Sequence, residues 1–345
     1  MAGCGQNDPS KNQSSAEPAE SSAVSEASVT EESEQPESKP EKSKLSSEDM
    51  EAEPKIKPII RIDSEKRIEY YDDFAKASEE SNWVDGSTIT LLEDVSCDAN
   101  IVVSGKKTLD LNGHKLTMLN GGGTAFTVKG GSLTVQDSAK DGEMLIEKGM
   151  HLIDAAADGE LIINGGILTG ESTEDYALIG VGEGGTVTVN DGVLRRTDSN
   201  AVSMSGSGTL NLAGGYIECN STSSEPGVSA SLFVWKNSKA VVNWSGTVVT
   251  TASGFALYPE NEDALSELNL KDSPRINGKG INLQDSYVIN VAGKFSNTTP
   301  INVTMTEPRV FTSGLSGNGS AENFASDEPD YKISLNSSGE AELVK

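Results

Sequence analysis

One pattern constrains this chain more than any other. It runs polar residue, aliphatic, any residue, aliphatic, Asn or a small residue, any residue, Gly, any residue, aliphatic. It recurs as TLDLNGHKL (Thr108–Leu116), SLTVQD (Ser132–Asp137), ELIINGGIL (Glu160–Leu168) and TVTVNDGVL (Thr186–Leu194). TLNLAGGYI (Thr209–Ile217), AVVNWSGTV (Ala240–Val248), ELNLKDSPRI (Glu267–Ile276) and YVINVAGKF (Tyr287–Phe295) continue it. The leading aliphatics Leu109, Leu133, Leu161, Val187, Leu210, Val241, Leu268 and Val288 stand 20 to 31 residues apart, about 26 on average. A fixed motif on a variable period is the mark of a solenoid whose loops differ between coils.

Physical chemistry then selects the architecture. Two aliphatics at i and i+2 point to one face of a strand. The Asn-x-Gly step tolerates positive φ, so the chain turns there, and the next strand again points an aliphatic inward. A single coil cannot cover its own apolar face. Coils stacked at about 4.8 Å hydrogen-bond to each other and bury a continuous column of Leu, Ile and Val. A β-sandwich would instead favour hairpins without a regular echo. The expectation is an all-β chain, a right-handed parallel β-helix with an N-terminal capping α-helix and an irregular C-terminal cap. In RIEYYDDFAKASEESN, Ile68, Tyr71, Phe74, Ala75 and Ser78 recur at three- and four-residue spacing, which predicts one amphipathic helix ending at Asn82. Trp83 is expected to pack it onto the first coil. The expected boundaries are 58–86 for a short strand and this helix, 87–298 for the coils and 299–345 for the closing cap.

Residues 1–57 have a different composition. Ala2-Gly3-Cys4 resembles the end of a bacterial lipobox, and the apolar leader usual ahead of it is expected to have been replaced by a start Met. Cys4 is the expected lipidation site. A Ser-, Glu-, Pro- and Lys-rich stretch follows with hardly any large apolar side chain, so it is expected to stay a disordered tether with a reach of roughly 40 Å. A lipid site, a polar tether and then a folded domain is the order a membrane-anchored surface protein needs. The formal net charge of −26 argues against nucleic acid as a partner.

The opening SNWVDGSTITLLEDVSCDANIVVSGKKTLDLNGHKLT and the ending FTSGLSGNGSAENFASDEPDYKISLNSSGEAELV resemble parallel β-helix, pectin-lyase-like domains of bacterial surface proteins. The resemblance covers residues 60–345. It implies an exported, adhesin-like surface lipoprotein of the Gram-positive type, and leaves activity open.

Chemistry is sparser. Cys97 and Cys219 form no CxxC pair and are expected in the core, while His114 and His151 lack partners at ligand spacing, so no metal or other cofactor is expected. Glycoside hydrolysis needs two carboxylates across a cleft. Asp137 with Asp141, Glu171 with Asp175, and Asp191 with Asp198 are candidate pairs, although 53 acidic residues make chance pairs common. A lyase needs a base beside an acidic cluster, and Arg195, followed by Arg196 and flanked by Asp191 and Asp198, is the weak candidate. For binding, Trp235, Trp244 and Tyr258 fall within about one coil and would stack on sugar rings if exposed together. The alternative is that Phe233 and Trp244 pack inward and Trp235 covers the base of a loop. Asn112, Asn164 and Asn190 at the corners are expected to form a structural ladder. The expected function is therefore a lipid-anchored, extracytoplasmic protein that binds a polysaccharide or a surface protein without catalysis and acts as a single chain. A polysaccharide lyase or glycoside hydrolase, and a passive spacer, are the alternatives.

Overall fold

The structure, a computed structural model, describes residues 57–119, 122–170 and 176–345. The tether, Cys4, Glu171 and Asp175 lie outside these residues. The described chain is a parallel β-solenoid of about 8 turns. Its longest sheet begins with β1 (Ile60–Asp63), β2 (Ile68–Tyr71) and β3 (Ser87–Leu91) in the order β2–β1–β3, all antiparallel. From β3 onward every step of that sheet is parallel, through strands at Lys106–Asp110, Ser132–Gln136 and Glu160–Gly170 and on to Ile289–Phe295. Two further parallel sheets complete each coil. At three successive corners the turn is made by Gly166, Gly192 and Gly215, with φ of 83°, 94° and 74°, the left-handed region that a side chain disfavours.

Inside, aliphatics stack rung on rung. Leu133, Leu161, Val187 and Leu210 are directly in register. The column continues through Val242, Leu268 and Ile289. This corrects two inward positions expected from the motif: Val241 and Val288 face outward, with Val288 42% exposed. Each has an aliphatic neighbour, and a one-residue slip moves a strand's whole apolar set to the other face. Val242 pairs with Leu210 on one side and Leu268 on the other, and Ile289 pairs with Leu268, so these residues take the inward positions. At the first rungs Leu109 lies opposite Val135, and the position stacked on Leu133 is taken by Lys107. Lys107 is buried; its Nζ donates to the Trp83 carbonyl and sits 5.5 Å from the Trp83 ring centroid. Burial lowers the pKa of this ammonium.

The caps differ from the expectation in detail. The N-terminal helix, α1, is confined to Phe74–Ala77, with the Asp73 side chain accepting from the Lys76 N–H at 2.7 Å. Ile68–Tyr71 is strand β2, not helix. Its β-branched and aromatic residues suit a strand, and pairing with β1 satisfies backbone groups that a first helical turn would leave open. Phe74, Ala77 and Trp83 are fully buried over the first coil. Parallel pairing continues past residue 298 to Phe324–Ser326. The irregular closure therefore reduces to an antiparallel hairpin, Lys332–Leu335 with Ala341–Val344, joined to the body by a bridge between Val310 and Glu342.

One inward column changes character along the molecule. Cys97, Met118 and Ile146 are followed by Gly170, Arg196, Cys219 and Thr251. Arg196 is fully buried. Gly170 makes room for it: a Cβ at Gly170 would fall 2.3 Å from Arg196 Nη1.

Candidate ligand-binding site

The outer surface around Leu232–Val234 and the end of Val248–Pro259 carries a contiguous run of rings. The register sets Phe233 directly opposite Tyr258 on the next rung. Their rings stack at 6.2 Å with an interplanar angle of 11°. Trp235 meets Phe233 edge-on at 4.9 Å, and Phe255 meets Tyr258 at 5.4 Å. Lys279, opposite Phe255 on the following rung, places its Nζ 3.9 Å from that ring's centroid. The helical turn Pro226–Ser229 brings Gly227 against the Phe233 ring, where a Cβ would come within 3.1 Å. Phe233 and Phe255 are thereby almost covered at 6% exposure, Tyr258 is half-buried, and Trp235 stands 47% exposed. The result is one open indole supported from beneath by a ring stack. Edge-on and offset-stacked ring pairs attract one another by about 0.5–1.5 kcal/mol each, which favours this placement of the indole. Phe255 and Lys279 were not distinguishable as part of this patch in the sequence, because only the register across rungs brings them together.

Trp244, expected beside Trp235, does not join the patch. It is 1% exposed, and its Nε1 donates to the Thr247 carbonyl at 2.8 Å. An indole at an inward position of the strand Ala240–Trp244 is held there by apolar burial and by its one satisfied donor. Phe233 and Trp244 are thus mostly buried, and the exposed part of the expected platform reduces to Trp235 and Tyr258.

On a neighbouring face lies a feature that sequence reasoning missed. Asn211, Asn243, Asn269 and Asn290 occupy one outward column. Each Nδ2 donates to the Oδ1 of the preceding Asn, at 2.8 Å, 2.8 Å and 3.1 Å, and Asn211 donates to Thr188 Oγ1 at 3.1 Å. An open groove of about 390 Å³ runs along this ladder, with Ser245 and Lys271 on its walls. The signal in the sequence was the third residue of each repeat, Asn in TLNL, VVNW, ELNL and VINV. The corner asparagines form one ladder step, Asn190 Nδ2 to Asn164 Oδ1 at 2.9 Å. Asn112 instead donates to the Leu91 carbonyl.

Among the described residues, those considered for catalysis take part in local contacts. Arg195 faces outward and binds Glu218, Nε to Oε2 at 2.7 Å. Burial pushes the Glu218 carboxyl up, but hydrogen bonds from Arg195 and Asn220 outweigh it and hold the pKa below the ordinary carboxylate value. Asp191 accepts from the Gly192 N–H, and Asp198 accepts from Thr197 Oγ1. Asp137 accepts from the N–H groups of Gly113 and Gly142, both at 2.7 Å, which is a turn-fixing role. His151 is half-buried, with Nδ1 2.7 Å from the Ala177 carbonyl, so this nitrogen carries the proton; burial lowers its pKa and favours the neutral ring. Cys97 and Cys219 are both buried as free thiols. Comparison of the chain with known protein families, with curated proteins and with solved structures found no match in any of the three.

Proposed function

We propose that this chain is an extracytoplasmic binding protein of the adhesin-like kind, anchored through lipid on Cys4, which holds a glycan on the Trp235 patch without transforming it. The single observation carrying this reading is the half-exposed Trp235 ring resting on Phe233, which in turn stacks on Tyr258. The axial C–H bonds of a pyranose carry partial positive charge and pack on the negative face of an aromatic ring. Rings supported on successive rungs offer such a face without ordering cost on binding. The anchoring part of the reading rests on Ala2-Gly3-Cys4 and the polar tether behind it. Engagement of Arg195 by Glu218 favours binding over catalysis by that residue.

The test is size-exclusion chromatography with light scattering on the full chain mixed with cell-wall, mucin and plant polysaccharides. Co-elution of one intact glycan is expected, with Trp235→Ala weakening it by about tenfold or more, the loss typical of a central aromatic anchor. A glycan whose mass falls with time would establish an enzyme. Retention of affinity in Trp235→Ala would remove the patch from the account.

A further inference from the structure

The two ends of the solenoid are treated differently. The C-terminal end is covered by the Lys332–Leu335 and Ala341–Val344 hairpin. At the N-terminal end the outermost strand is β2, which pairs with β1 on one side and, among the described residues, with no strand on the other. An open edge is a template for another strand unless lysine, proline or a bulge blunts it. β2 has none of these. Its sequence is Ile68-Glu69-Tyr70-Tyr71, and the side chains of Ile68 and Tyr70, 60% and 58% exposed, share one face.

The residues around β2 specify what would pair with it. The stretch Lys66-Arg67-Ile68-Glu69-Tyr70-Tyr71-Asp72-Asp73 is basic before the strand and acidic after it. Such a segment is complementary to its own antiparallel copy. A two-fold axis through Tyr70 sets Tyr70 against Tyr70 of the second copy and Glu69 against Tyr71. It sets Arg67 against Asp73, with Lys66 diagonal to Asp72 at both ends. An axis through Glu69 sets Glu69 against Glu69, each held by its own Arg67 at 2.8 Å, with Ile68 against Tyr70 and Lys66 directly against Asp72; both registers bring Lys66 to Asp72. Lys66, Arg67, Asp72 and Asp73 are all exposed; Arg67 holds Glu69 of its own strand at 2.8 Å and Asp73 caps α1, which leaves Lys66 and Asp72 as the charges open to a partner.

We infer that β2 is a self-association edge, through which two copies of this chain join antiparallel at their N-terminal ends into a dimer. The contact is isologous, and the opposite end is covered, so assembly closes at two copies and does not propagate into a fibre. The net charge of −26 on each chain opposes association in general; the local Lys66 offsets that repulsion only in this orientation. This dimer is proposed in place of the single chain expected from the sequence.

Sedimentation velocity on the full chain across about a hundredfold concentration range, at about 0.15 M salt so that long-range repulsion is screened, tests this. The expected result is conversion from the 36.2 kDa chain to twice that mass as concentration rises. Tyr70→Lys should weaken the dimer about tenfold or more, since lysine blunts an edge strand, while leaving unchanged the thermal midpoint measured at concentrations low enough that the chain is dissociated. Lys66→Glu alone and Asp72→Lys alone should each weaken it several-fold, because like charges then meet at both ends. An equimolar mixture of these two variants should recover the original affinity as a heterodimer, a result that damage to the fold could not produce. A chain that stays at 36.2 kDa throughout would overturn the inference. So would a dimer indifferent to Tyr70→Lys, or a mixture no tighter than either variant alone.

Discussion

The asparagine ladder makes a quantitative prediction, because its members do not hold equal numbers of bonds. Asn243 makes two: it donates to Asn211 and accepts from Asn269, both at 2.8 Å. Asn290 closes the row and makes one, donating to Asn269 at 3.1 Å. Both residues are half-buried on parallel strands, so the lower strand propensity of alanine nearly cancels between them. With a net value of about 1 kcal/mol per neutral hydrogen bond, Asn243→Ala should cost about 2 kcal/mol and Asn290→Ala about 1 kcal/mol. Asn243→Asp discriminates further. A carboxylate can still accept from Asn269 but cannot donate to Asn211 Oδ1, and it faces that oxygen with like partial charge. It also adds a charge to a chain already at −26. At neutral pH it should therefore be at least as destabilising as alanine, although it is closer to asparagine in shape. Urea unfolding followed by circular dichroism measures each change, provided the slope m stays constant across variants. Equal losses at the two positions, or a milder effect of Asn243→Asp than of Asn243→Ala, would refute the reasoning.

Three other expectations follow from the structure. Trp244→Ala should cost about 3–5 kcal/mol by leaving a cavity at a fully buried indole, whereas Trp235→Ala should change stability little; chemical denaturation of the two separates core from surface tryptophan. Gly170→Ala should destabilise by about 1–3 kcal/mol by overpacking against Arg196, Ile146 and Leu178, and combination with Arg196→Met should recover part of that loss in a double-mutant cycle. For Asp110, Asp285 and Glu340, burial pushes each carboxyl up, but hydrogen bonds from neighbouring N–H and hydroxyl groups outweigh it, so each folded-state pKa lies below its ordinary value. Their contribution to stability is then complete above the unfolded carboxylate value of about 4 and is lost as pH falls through the lower folded values. The thermal midpoint should drop steeply below about pH 4, and Asp110→Asn should flatten part of that drop.

The scaffold was readable in the linear chain because its determinants are local. Alternation of aliphatics two residues apart, and a corner glycine at Gly166, Gly192 and Gly215, are properties of single coils, and a coil with one uncovered apolar face can be stable only beside another coil. Trp83, Cys97 and Cys219 are buried as expected, the two thiols because a free Cys packs as a small apolar side chain. The extent of α1 did not, since the spacing of Ile68, Tyr71 and Phe74 fits a helix until β1 offers a strand partner.

What the fold alone decided concerns faces and neighbours. Val242 rather than Val241 points inward, Trp244 is buried while Trp235 is exposed, and Arg196 enters the core while Arg195 binds Glu218 outside. Each is a choice between adjacent or near residues of similar chemistry. It is settled by register against rungs more than twenty residues away, where a shift of one position reverses the outcome. The ring stack at Phe233 and Tyr258, the ladder from Asn211 to Asn290 and the open edge of β2 depend on the same long-range register. The chain by itself therefore determined that coils would form and stack. Only their alignment in three dimensions determined which side chains were left on the surface to bind.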